Sequence, residues 1–216
     1  SDKLRTSDLI QHCKNRKGGG AGGATIYHDV AYLRSVMKKA KPVFNIASNF
    51  QIFDEAVPVL IDMGLIGKSQ KRTRRPTSEE LKRLKLGLER RESFRPNGKT
   101  RIPFTDILEF SILTCMRIGE VCKLRWEDLN QEHKTILVRD RKDPRKKEGN
   151  QMIVPLLDES FEIALKQPNK GELIFPYNSR SVSAGFQRVR NELGIEDLRY
   201  HDLRREGASR LFEKGY

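Results

Sequence analysis

Apolar positions along this chain recur mostly at three- and four-residue intervals, the signature of amphipathic helices, and one stretch alone switches to strand-like runs. A short helix fits residues 7–17. The run Gly18-Gly19-Gly20-Ala21-Gly22-Gly23 breaks it and reads as a flexible loop, because glycine carries the largest entropic cost of ordering. Thr25 suits the N-cap of a second helix with Val30, Leu33, Val36 and Met37 on its inward face. A third helix is expected over about 47–63, with Phe50, Phe53, Val57, Leu60 and Ile61 inward and Gly64 at its stop. Residues 68–76 have no apolar period, and Pro76 favours an extended chain before it, so this segment reads as a linker. It separates a helical unit, 1–70, from a second unit, 77–216.

The second unit opens on Thr77-Ser78-Glu79-Glu80, a capping-box pattern in which Thr77 bonds the third helical amide and Glu80 reaches back. Residues 102–114 are apolar enough for a buried core helix, with Phe104, Ile107, Leu108, Phe110, Ile112 and Leu113. Thr135–Val138 and Met152–Val154 are rich in β-branched residues and flank a polar loop, which predicts a pair of strands. Helical patterns return over 158–166, 179–193 and 201–214. The predicted architecture is mainly α with a small antiparallel sheet (α+β).

Composition narrows the function classes. With 37% hydrophobic and 33% charged residues, no apolar run long enough to span a bilayer and no signal-peptide pattern, a cytoplasmic protein with no membrane span is expected. Cys13, Cys115 and Cys122 are odd in number and lack metal-ligand spacing, so they read as reduced thiols. The glycine run lacks the Lys-Ser/Thr of a phosphate-binding loop, which removes a nucleotide-binding reading. The net charge of +13, from 42 basic and 29 acidic residues, creates a field that attracts polyanions. Nucleic acid fits best, since neutralising its phosphates releases condensed counterions. Aromatic residues are few and show no single-strand stacking pattern, which leaves double-stranded DNA as the expected partner once the motifs below are added. In the linker, Lys68, Lys71, Arg72, Arg74 and Arg75 would form a strap along the DNA backbone.

Two motifs carry the chemistry. Arg117-Ile118-Gly119-Glu120 runs into Leu124-Arg125-Trp126-Glu127-Asp128-Leu129, and Tyr200-His201-Asp202-Leu203-Arg204 follows far downstream. Arginine offers five donors in a planar fork suited to phosphate oxygens. His201 and Arg204, three apart, share a helix face, and Glu120 at the same spacing can hold Arg117 in place. Asp202 and Arg205 read as solvent-facing or structural. Taken together, the motifs resemble the tyrosine recombinase (phage integrase) family, in which a helix-borne Arg-x-x-Glu precedes Leu-x-Trp-x-Asp and a later His-x-Leu-Arg brings a second arginine. The resemblance runs from about Thr77 to the end, with a looser likeness over the first 70 residues.

The resemblance implies a helical core-type DNA-binding domain followed by a catalytic domain, working without metal or cofactor. Arg117 and Arg204 would clamp the scissile phosphate, and His201 would serve as an acid/base or hydrogen-bond partner. Family members carry a lysine on the β-hairpin as general acid; counting from Val138 favours Lys142, with Lys146 or Lys147 as substitutes. Arg141, Arg145, Lys146 and Lys147 would also contact the DNA backbone. The family's nucleophilic tyrosine is expected beyond Tyr216. Tyr216 itself lies twelve residues past Arg204, about 18 Å along a continuous helix, and Tyr27, Tyr32, Tyr177 and Tyr200 match no nucleophile context. The expected protein is therefore a site-specific recombinase fragment that binds DNA without recombining it. It would be monomeric alone and, at full length, tetrameric on nucleoid DNA. A non-catalytic DNA-binding regulator on the same scaffold is the alternative; a type IB topoisomerase fits the Leu-x-Trp-x-Asp context less well.

Overall fold

The computed structural model describes residues 4–69, 71–93, 101–141 and 149–215. It divides into two compact units, Ser1–Arg72 and Thr73–Tyr216, each with its own apolar cluster. As expected, the described chain is mostly helical with a small antiparallel sheet.

In the first unit, helices α1 (Thr6–Gly18), α2 (Gly23–Phe44) and α3 (Ile52–Asp62) enclose a core that includes Leu9, Cys13, Ile26, Val30, Met37, Phe53 and Leu60. The glycine run is a much shorter break than expected. Gly18 closes α1, Gly23 opens α2, and the N-cap is Gly22 rather than Thr25. The reason is a close approach: a Cβ on Gly23 would stand 3.2 Å from the Gly67 nitrogen, whose N–H donates to the Gly23 carbonyl at 3.3 Å. Ile26, Val30 and Met37 form the buried stripe of α2, whereas Leu33 and Val36 are exposed. Asn45, in the left-handed region at φ 54°, ends α2, and Ser48 Oγ donates to the Met37 carbonyl. The following helix therefore starts at Ile52 rather than 47, and Ile61 faces solvent. Gly64 (φ 62°) turns the chain after α3, as expected.

The second unit begins with α4 (Ser78–Ser93), and its predicted capping box is present. Glu80 N donates to Thr77 Oγ1 at 3.1 Å, while Thr77 N donates to Glu80 Oε2 at 2.7 Å. Helix α5 (Phe104–Thr114) is the centre of the unit, with Phe104, Ile107, Leu108, Phe110 and Ile112 all buried. The Phe110 ring meets Phe175 with centroids 5.1 Å apart. Short helix α6 (Ile118–Val121), a 3-10 turn at Trp126–Asp128 and strands β1 (Leu129–Asn130), β2 (Thr135–Val138) and β3 (Met152–Pro155) follow. The sheet order is β1-β2-β3, antiparallel throughout, with Ile136 opposite Val154. Helices α7 (Ser160–Leu165), α8 (Ser179–Glu192) and α9 (Tyr200–Glu213) complete the unit.

Helix α9 lies directly against α5. At Gly207 an added Cβ would fall 1.9 Å from the Ile112 carbonyl oxygen, so the two backbones touch where any side chain would hold them apart. This contact presents the first turns of α9 toward the loop that leaves α5.

Candidate active site

Two local backbone events create the site. Helix α5 ends at Cys115, a non-glycine residue in the left-handed region (φ 52°), which turns the chain so that Arg117 becomes the N-cap of α6. There Glu120 acts twice on one residue. Its Oε2 accepts the Arg117 backbone N–H at 3.0 Å, and its Oε1 accepts the guanidinium Nη1 at 2.6 Å. Glu120 is nearly buried, and so can satisfy an otherwise orphaned helix-start amide while orienting the arginine. The Arg117 side chain remains about one-third exposed, toward a cavity of about 300 Å³.

The other wall of that cavity belongs to α9. Asp202, almost wholly buried, accepts the Arg199 backbone N–H at 2.9 Å and the Arg205 Nη1 at 3.2 Å. It is thus structural, fixing the helix start, rather than solvent-facing. This sets His201 and Arg204 beside Arg117, with Ser111, Met116, Ile118, Ser183 and Tyr200 completing the lining. Burial, followed by the positive charges of Arg117 and Arg141, lowers the basicity of the Arg204 guanidinium against the pull of Glu120. The group stays charged, since arginine begins far above neutral pH. One of its nitrogens, Nη1, is buried with no hydrogen-bond partner among the described residues. Partial burial, then Arg204, Arg117 and Arg205, lower the proton affinity of His201, with Asp202 opposing them.

Arg141 closes the ring of cations. Its Nε lies 3.9 Å from Glu120 Oε1, and its side chain is mostly buried. The Arg141 backbone N–H donates to the Asn150 carbonyl at 2.8 Å, and Asn150 Nδ2 returns a bond to the Arg141 carbonyl at 2.9 Å. The hairpin base thereby delivers Arg141 to the acid that orients Arg117. Lys142, Arg145, Lys146 and Lys147 lie outside the described residues.

Of the expected linker contacts, Lys68 and Lys71 are exposed and Arg72 is half-buried. Arg74 and Arg75 are engaged inside the second unit. Arg74 makes a two-pronged ion pair with Glu80, and Arg75 bridges Glu206 at 2.9 Å and Glu213 at 2.8 Å. Pro76 is buried. Sequence reasoning did not anticipate Ser183 or Tyr200 at the site, and neither residue type carries a signal for it. Tyr200 is a poor nucleophile: it is half-buried, its hydroxyl shares a 2.9 Å hydrogen bond with Ser111, and desolvation raises its pKa.

A cavity lined by two arginines and a histidine, with a third arginine and one oriented carboxylate behind them, suits a multiply charged oxyanion. Residues 77–216 match the phage integrase family over that whole stretch. The chain belongs to the phage integrase family. Curated relatives include a shufflon-specific DNA recombinase of Escherichia coli, 33% identical over 110 residues, covering 50% of this chain and 27% of the relative. A putative integrase/recombinase of Haemophilus influenzae is 29% identical over 158 residues, covering 72% and 49% respectively. The chain thus spans half or less of the length of these two integrase-family relatives. Among solved structures, a lambda integrase tetramer bound to a Holliday junction superposes with a TM-score of 0.70 at 20% identity, covering 100% of this chain and 61% of that one. The Tn1549 transposon integrase, in complex with circular intermediate DNA, gives 0.66 at 17% identity, covering 99% and 74%. At such identities these likenesses establish the tyrosine-recombinase fold. No described helix is long and apolar enough to cross a membrane.

Proposed function

We propose that this chain binds duplex DNA and carries the phosphate-activating part of a site-specific recombinase or integrase, acting through a 3′-phosphotyrosyl intermediate. The observation that carries the reading is the buried Arg204 Nη1, without a hydrogen-bond partner among the described residues, in a cavity shared with Arg117 and His201. A phosphate oxygen would supply the missing acceptor, and leaving such a donor unpaired costs about 1–3 kcal/mol or more for a charged group.

Phosphoryl transfer depends mainly on positioning and on stabilising charge at the equatorial oxygens. Arg117 and Arg204 would hold the two non-bridging oxygens of the scissile phosphate. A tyrosine hydroxyl, from outside the described residues, attacks phosphorus; the bond to the 5′-oxygen breaks; and that oxygen takes a proton, with Lys142 as its donor. His201, whose proton affinity is lowered by burial and then by its cationic neighbours, accepts the tyrosine proton or bonds the phosphate. The phosphotyrosyl link keeps the bond energy, so attack by a new 5′-hydroxyl religates DNA without ATP. On this reading residues 1–70 are the core-type DNA-binding domain and 77–216 the catalytic domain. Lys68, Lys71 and Arg72 would track the backbone, and four full-length copies would assemble on DNA, while residues 1–216 alone would be monomeric.

The test is duplex binding by this chain as a function of salt. If linker, hairpin and site neutralise about six phosphates, log affinity should fall with a slope of about −5 against log salt concentration. A slope near zero would remove the reading of the +13 charge as a DNA footprint.

A further inference from the structure

Arg204 Nη1 is buried with no hydrogen-bond partner among the described residues, so the place of that guanidinium depends on the helix that carries it. That helix is gripped from behind. Glu206, two residues on, lies about 3 Å further along the axis and about 200° around it, on the face turned away from the cavity. Its carboxylate is almost completely buried and takes charged donors on both oxygens: Arg75 Nε on Oε2 at 2.9 Å and Arg210 Nε on Oε1 at 2.7 Å. Arg75 then reaches Glu213 through Nη1 at 2.8 Å, spanning nearly two turns of α9. The segment carrying Arg75 is itself anchored, by the two-pronged Arg74–Glu80 pair and by buried Pro76. A buried carboxylate with two arginines becomes strongly unfavourable once a partner is removed, because an uncompensated charge stays behind.

We propose that Arg75 is a positioning residue for the candidate active site: by clamping Glu206 and Glu213, it seats α9 so that His201 and Arg204 stand against Arg117. The chain entering the second unit thus acts on the site from the far side of α9, and Arg75 is not a DNA contact. The proposal rests on the phosphate-site reading only for what the cavity binds, and it concerns geometry that exists without ligand.

The experiment is an NMR titration of the four histidine imidazoles in the 216-residue chain, for wild type, Arg75→Ala, Arg75→Lys and Glu206→Gln, with and without inorganic phosphate. Glu206→Gln is the discriminating variant. Loss of a negative charge acting through space would lower the His201 midpoint. Release of α9 hydrates the imidazole and moves it from Arg117, which raises the midpoint. The expected result is a rise for His201 in Glu206→Gln and Arg75→Ala and a smaller rise in Arg75→Lys, with His12, His28 and His133 unmoved. A His201 midpoint that stays put or falls in Glu206→Gln, even with a lowered melting temperature, overturns the proposal and leaves Arg75 a purely stabilising residue. The phosphate arm reads the other claim separately. If phosphate leaves wild-type His201 unshifted while the variants still raise its midpoint, the phosphate-site reading fails and the positioning role stands.

Discussion

The two arginines facing the cavity are held in opposite ways. Arg117 is fixed locally, with one carboxylate bonding both its amide and its guanidinium three residues away. Arg204 is fixed globally. It has a buried nitrogen without a partner among the described residues, and it depends on α9, which is seated by backbone contact at Gly207 and by Arg75 at Glu206. A locally held group is robust to movements elsewhere and fragile to loss of its one partner. A helix-borne group shows the reverse: side-chain changes nearby matter little, and any shift of the helix displaces it whole.

The largest expected effect tests what the arginines share. In the full-length protein, Arg117→Ala or Arg204→Ala should each lower strand cleavage by about 10² to 10³, as for loss of one donor to a developing oxyanion, with duplex binding little changed. Equal losses of binding and cleavage would mean that the arginines serve affinity alone. The comparison sharpens with Gly207→Ala, whose methyl would fall on the Ile112 carbonyl oxygen. Overpacking at that contact should destabilise the second unit by about 3 kcal/mol. Chemical denaturation reads that number, and the variant should impair sites on α9 while sparing the Glu120–Arg117 pair.

Glu120→Gln is the converse perturbation. The amide oxygen can still cap Arg117, but the charge that orients its guanidinium and steadies Arg141 is gone. A loss of about tenfold in cleavage is expected, or roughly 1.4 kcal/mol of barrier. An unchanged rate would show that the local bond is dispensable. The smallest effect is a pH dependence. His201 is held below its ordinary proton affinity by burial and by Arg204, Arg117 and Arg205. A phosphate bound there offsets those cations and raises its affinity for a proton, so the bound state takes up more protons than the free one. Duplex affinity should therefore strengthen as pH falls, by about threefold between about pH 8 and about pH 6 relative to His201→Gln. An identical profile for the two proteins would place His201 away from the phosphate.

The same local-versus-global contrast governs what could be read from the residues in order. The Thr77–Glu80 capping box and the helix over 102–114 were legible because their determinants lie within a few positions. The Arg117–Glu120 partnership was legible for the same reason, although Arg117 proves to be an N-cap rather than a residue on a helix face. The outward turn of Leu33 and Val36 was not legible, since hydrophobicity says what can be buried and not what a small three-helix core has room for. The glycine run misled in the same way: Gly23 is there for close approach to Gly67, 44 positions on, and not for flexibility. The Arg75–Glu206 pair was not legible either, because its partners are 131 residues apart and no spacing rule connects them. Charge along a sequence counts what is available to DNA; the fold decides what is already spoken for.

The central claim, that Arg204 answers the charge of the scissile phosphate, is tested most directly by removing that charge from the substrate. Single-turnover cleavage by full-length wild-type and Arg204→Ala proteins would be compared on a duplex with an ordinary scissile phosphate and on one with a neutral methylphosphonate there. The prediction is a penalty of about 10² to 10³ for the variant on phosphate, shrinking to within about tenfold on methylphosphonate, where there is less charge to stabilise. A penalty of the same size on both substrates would contradict the account.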